Sequence, residues 1–354
     1  MELEQFFLDN INKILEYFDQ DILTIYTRRT VDAFIGSYFL VEKFADTAQV
    51  RFVDWPPEGG MCLGFKCDGF YINENEVGIG GSSIRLEAPL PISYIIYKLT
   101  KSITNISKED ILKLYIGAYS WFVDNCVYKC NEPTDFVNEI ETKTSFSIPF
   151  PDKPLGEALS LTTLPLLPGV LGRGLKEDRP LRSIDPRRLL DILDEALGLV
   201  YEYGFYPALA DKGIRRVPVD ADIATRSVEI EALLAGYAPD TQGISLYVES
   251  LAKIIDDIIR NYNSNIININ NIFYIYKLMN YLPYFSKLKD ILILRADVGR
   301  GFVASFIAPL RETRKLKDVA ERVKDMQTIN YETSIIAFVP KDRWPEVITS
   351  ARSA

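Results

Sequence analysis

With 354 residues, 47% of them hydrophobic and 25% charged, the chain carries apolar material for two or three packed domains, and its net charge of −9 disfavours an enveloping grip on nucleic acid. It contains no histidine, which excludes Ser-His-Asp and Cys-His nucleophilic sites, His-liganded metals and His general bases, and leaves carboxylate-only metal chemistry open. No stretch reaches the roughly 18 uncharged apolar residues of a membrane span, and the chain opens on Glu2 and Glu4 rather than a basic signal region, so a soluble cytoplasmic protein is expected.

Phe6, Phe7, Ile11, Ile14, Leu15 and Phe18 recur at helical spacing, which predicts a helix over residues 3–18. Ile22 to Tyr26 reads as a buried strand, Thr27 to Thr30 as a turn and Val31 to Phe44 as a helix. Further strands are predicted at Gln49 to Val53, Asp68 to Ile72 and Glu76 to Ile79, the last running into Gly80 and Gly81. Helices follow at about 91–101 and 108–124. Strands alternating with helices argue for a parallel α/β domain, whose ligands sit beyond the carboxyl ends of the strands. Cys62, Cys67, Cys126 and Cys130 have C-x4-C and C-x3-C spacings, not the C-x2-C pairs of zinc ribbons. Buried thiols are the expectation, with a disulfide the alternative in a hyperthermophile.

A proline-rich connector runs from Pro149 to Pro168, and composition shifts there. Residues 1–150 hold four Arg and nine Lys, whereas residues 151–260 hold nine Arg, four Lys and no Asn. The middle reads as mostly helical: Asp185 is a natural N-cap, Pro186 fits the first helical position and Gly204 lies past the end. A second helix over Ser245 to Tyr262 carries the stripe Val248, Leu251, Ile254, Ile255, Ile258 and Ile259. The last part reads as strands at Ile291 to Leu294, Phe302 to Ile307 and Ser334 to Val339, with helices at Arg314 to Met326 and Trp344 to Ser350. The expected fold is α/β in three parts: a parallel-sheet domain at 1–150, a connector and helical domain at 151–280, and a small α/β domain at 281–354.

Chemistry belongs at the turn after the first strand, Thr30-Val31-Asp32-Ala33. A strand entering an acidic turn and then a small-residue helix start resembles motif I of the DHH phosphoesterases. In that family a D-x-D pair binds divalent metal. The turn is most similar to that of the replication-initiation members descended from the RecJ exonuclease. The resemblance implies metal ligands at four successive motifs, and this chain has lost nearly all of them. Thr30 stands at the first Asp position, with only Asp32 kept. Asn73 stands for the next Asp, Gly80 and Gly81 fall where D-H-H would be, and Ser120 closes the echo Tyr115 to Ser120. One Asp with Thr, Asn and Ser offers too few anionic oxygens for two hard cations. N-capping of its own helix is the expected role of Asp32. The C-terminal part resembles the DHH-associated domain, which grips a nucleic-acid strand. In place of its G-G-G-H stretch stand Arg295, Gly299, Arg300 and Gly301, candidate phosphate contacts; a hairpin turn explains the glycines equally well.

The resemblance covers roughly 20–125 and 281–350. It implies a non-catalytic scaffold without metal or other cofactor. Its partners would be GINS and the MCM ring of an archaeal-type replicative helicase, with single-stranded DNA as a further ligand. The alternative is a RecJ-like nuclease with a rearranged carboxylate site built from Asp32, Asp68, Glu74 and Glu76. A third reading is a single-strand binder using the basic segment 286–354, net +4, and its aromatics Phe302, Phe306, Tyr331, Phe338 and Trp344.

Overall fold

The computed structural model describes residues 2–125, 133–146, 148–163, 177–206, 214–218 and 222–351. Two short helices, α1 (Glu2–Asp9) and α2 (Ile11–Phe18), precede β1 (Leu23–Thr27), α3 (Val31–Phe44) and β2 (Ala48–Phe52). Then come β3 (Met61–Leu63), β4 (Phe70–Ile72), β5 (Glu76–Ile79), β6 (Ser82–Arg85), α4 (Ile92–Ile103) and α5 (Lys108–Asn125). The strands form one sheet in the order β2-β1-β3-β4-β5-β6. The first four are parallel, and β5 and β6 add an antiparallel hairpin. β3 and β4 are buried throughout, as parallel strands covered on both faces should be. α3 packs on β1 to β3 and against α4 and α5. Gly36 makes that approach possible, since a Cβ there would lie 2.5 Å from Ile96 Cδ1.

The middle of the chain supplies α6 (Thr134–Val137), β7 (Thr142–Phe146), α7 (Leu155–Ser160), α8 (Pro186–Glu202), β8 (Ile214–Pro218), α9 (Ile223–Ala235) and α10 (Thr241–Asn261). α8 begins as its residues dictate: Asp185 accepts from Arg187 N at 2.8 Å and Pro186 opens the helix. Then follow β9 (Ile266–Asn268), α11 (Ile272–Leu278), β10 (Leu292–Asp297), β11 (Gly301–Ile307), α12 (Leu316–Arg322), β12 (Thr328–Asn330), β13 (Ser334–Pro340) and α13 (Trp344–Ala351). The second sheet has the order β12-β13-β11-β10-β9. α12 and α13 share a core with one face of it, around Ile293, Phe306 and Trp344.

β7 pairs with β8, and β9 with β10, so strands from distant segments join across the expected boundaries at 150 and 281. Two expectations need correction. The helix expected over Arg314 to Met326 is shorter, and the edge strand β12 follows it. Cys62 and Cys67 are joined in a disulfide rather than left as thiols. The Cys126 and Cys130 positions lie outside the described residues, as does the end of the connector from 164 to 168.

Candidate functional site

Beyond the carboxyl end of β1 a small cavity opens where all three parts of the chain meet. Thr30, Asp32 and Ser120 line it, together with Arg28, Asp124, Glu231, Tyr276 and Lys277. Thr30 caps α3 by accepting from Ala33 N at 3.4 Å. Asp32 therefore does not cap its own helix. It reaches across to α4, whose N-cap residue is Pro91 and has no side-chain acceptor. There Asp32 accepts from Ile92 N at 2.6 Å, from Ser93 N at 2.9 Å and from the Ser93 hydroxyl. Gly117 leaves room for this arrangement, since a Cβ would lie 2.1 Å from Ser93 Oγ. Burial pushes the Asp32 carboxyl up to about 6 against the pull of these donors.

The other motif positions do not join the cavity. Asn73 closes a turn, accepting from Asn75 N and Glu76 N at 2.9 Å each. Gly80 and Gly81, with φ of 55° and 83°, form the tight turn between β5 and β6. The rearranged carboxylate site does not assemble either. Glu76 is tied to Lys66 and Tyr71, at 3.0 and 2.6 Å, and Asp68 is exposed.

Two buried cations that sequence reasoning missed organise the cavity. Arg28, 1% exposed, is ion-paired to Glu74, 0% exposed. Its guanidinium also donates to Tyr331 Oη at 3.4 Å and lies 5.1 Å from the Tyr276 ring centre, while Tyr331 Oη donates to Glu74 at 3.2 Å. Lys277 reaches Asp124 of α5 at 2.8 Å and Glu231 of α9 at 2.6 Å. Burial pulls both pKa values down; the neighbouring acidic groups, carboxylates above all, outweigh it, and both end above their ordinary ranges. Each had a faint signal. Arg28 follows directly on a buried strand, and Lys277 is the lone charge in the run Ile272 to Leu278.

The four candidate phosphate contacts do not form one cradle. Alternation along β10 puts Arg295 and Ala296 on opposite faces of the sheet. Arg295 donates to Asn268 Oδ1 at 2.5 Å and stacks 4.9 Å from Phe302 and 5.1 Å from Trp344. Arg300 lines a separate cleft of about 600 Å³ with Trp55, Asp54, Glu58 and Asp297. Gly299, at φ 81°, makes the hairpin turn. Gly301 is buried, and a Cβ on it would sit 2.5 Å from the Trp55 ring and from Val339 O. It is a packing glycine.

No family model and no curated protein matches this chain. Among solved structures it is similar to CDC45 from Entamoeba histolytica, at 11% identity and a TM-score of 0.48, over 99% of this chain and 98% of that one. It is also similar to RecJ from Thermus thermophilus, solved with Mn2+ (10% identity, TM-score 0.41) and with Mg2+ (11%, 0.38). There it covers 98% of its own length and spans 54% and 52% of RecJ, about half.

The donor set does not fit a divalent metal pair. Asp32 already accepts from two backbone amides and a hydroxyl, and Asp124 and Glu231 share the Lys277 ammonium. Glu74 faces a guanidinium, and only its Oε2 lacks a partner. A hard cation takes about six oxygen ligands, and here two fixed positive charges would oppose it. Among the described residues no group of three or more His, Cys, Asp or Glu is placed to hold an ion.

Proposed function

We propose that this chain is a non-hydrolytic relative of the DHH phosphoesterases. It would act as a scaffold in an archaeal-type replicative helicase assembly, linking GINS to MCM, with single-stranded DNA as a further ligand. One observation carries the non-catalytic part: the acids at the family's cleft are neutralised from within the chain. Asp32 is spent on a helix terminus, Glu74 on Arg28, and Asp124 and Glu231 on Lys277. A two-metal mechanism would have to expel both cations first. The Lys277 pairs join the first unit, the middle and the C-terminal unit, a rigidity that suits a body holding two partners apart. The order of the four motifs supports the link to the family, and the turn Thr30-Val31-Asp32-Ala33 supports the link to its replication branch. A strand contact, if made, belongs to the C-terminal unit, which carries the positive charge.

Two experiments test the two halves. Labelled single-stranded DNA incubated with the full chain and magnesium or manganese should stay intact. Turnover that disappears in Asp32→Ala would overturn the non-catalytic reading. GINS and MCM mixed with the chain at micromolar concentration should co-elute with it on gel filtration. Three separate peaks would remove the scaffold role.

A further inference from the structure

We infer that the Cys62–Cys67 disulfide is a redox-sensitive latch on the seam between the first and C-terminal units. The bridge closes a short turn at the end of β3. Inside that turn lie Gly64 and Phe65, and both serve the seam. Gly64, at φ 83°, accepts from Arg28 through its carbonyl at 3.5 Å. A Cβ on it would lie 2.9 Å from Arg28 Cβ, so the turn sets the position of that side chain. Arg28 in turn meets Tyr331 and Tyr276 of the C-terminal unit. Phe65 is fully buried with its ring 5.5 Å from Phe338 of β13, and Trp55 meets the same ring at 6.0 Å from the other strand connection. The bridge therefore restrains two of the contacts by which one unit docks on the other.

Access to the bridge is one-sided. Cys62 is fully buried in its strand, whereas Cys67 is half-buried in the turn next to exposed Lys66 and Asp68. A dithiol reductant would attack Cys67 Sγ as a thiolate, forming a mixed disulfide and releasing Cys62 as a thiol after protonation. Its second thiol would then displace Cys67, leaving two protein thiols and one oxidised reductant. Reduction leaves Cys62 anchored by β3 and frees Cys67. Closing a loop this short by a disulfide shifts its opening equilibrium by, at most, on the order of tens-fold. That is the scale on which Phe65 and Gly64 would let go. The seam would then loosen without global unfolding.

The test uses the full chain and follows hydrogen exchange by mass spectrometry with and without a small dithiol. Before reduction, alkylation under denaturing conditions should leave Cys62 and Cys67 unmodified. On reduction, exchange should quicken in peptides covering both 53–67 and 327–339. Cys67→Ser should show the fast pattern from the start and ignore the dithiol. Free thiols at both positions before reduction would overturn the latch. So would quickened exchange confined to 62–67, or an equal dithiol response in Cys67→Ser. Should that variant fail to fold, the wild-type comparison alone still decides.

Discussion

Lys277 sits in an otherwise apolar helix and answers two carboxylates from two other parts of the chain. Replacing it with Met should cost about 3–5 kcal/mol in urea unfolding, because the buried Glu231 would lose its counter-charge. Lys277→Met combined with Glu231→Gln should recover part of that loss. A double variant as unstable as the sum of the singles would show that the two groups do not act on each other. Asp32 makes a different prediction. Its carboxyl is raised from 3.8 in the ordinary state to about 6 in the fold, so between those values the folded chain binds more protons than the unfolded one. Its contribution is fully present below about pH 4 and is lost as pH rises through 6, a swing of about 3 kcal/mol. The stability of wild type relative to Asp32→Asn, measured by denaturant titration, should therefore fall across that window. A flat difference would mean that the amides of α4 and the Ser93 hydroxyl hold the carboxylate ionised throughout.

Elements with local causes were legible in the sequence. α3 runs from Val31 to Phe44 as expected, since Thr30 caps it and its apolar positions keep helical spacing. α8 likewise starts where Asp185 and Pro186 say it should. β3 was not legible: three residues between a glycine turn and Gly64 are too short to show alternation. Asp32 was given the nearest cap to serve, because a helix start 60 residues further on leaves no trace beside it. The β10–β11 hairpin separates two kinds of glycine that look alike in sequence. Gly299→Ala pays only for its positive φ, with open space around it, and should cost about 1 kcal/mol. Gly301→Ala drives a methyl into Trp55 and the Val339 carbonyl, and should cost about 1–3 kcal/mol by prising the two units apart. Equal losses in thermal or urea unfolding would remove Gly301 from the seam.

At the scale of the whole molecule, the α/β character of both ends could be read from residues alone. The buried cations at the cleft could not. Arg28 finds Glu74 46 positions away and Tyr331 303 positions away, and Lys277 finds Asp124 across 153. Such pairings depend on how three units close on one point, and no local pattern encodes that closure. The same closure explains why the candidate phosphate contacts scatter: β10 and β11 serve the seam and a stacked aromatic face, and only Arg300 is left beside the open cleft.

In the proposed function Arg28 and Lys277 supply at this cleft the positive charge that a divalent pair would bring. Titrating the full chain with Mn2+ and following the free-ion signal by electron paramagnetic resonance tests it most directly. No stoichiometric site is expected at millimolar manganese, and wild type and Asp32→Ala should give the same trace. One or two tightly held ions per chain, lost in Asp32→Ala, would contradict it.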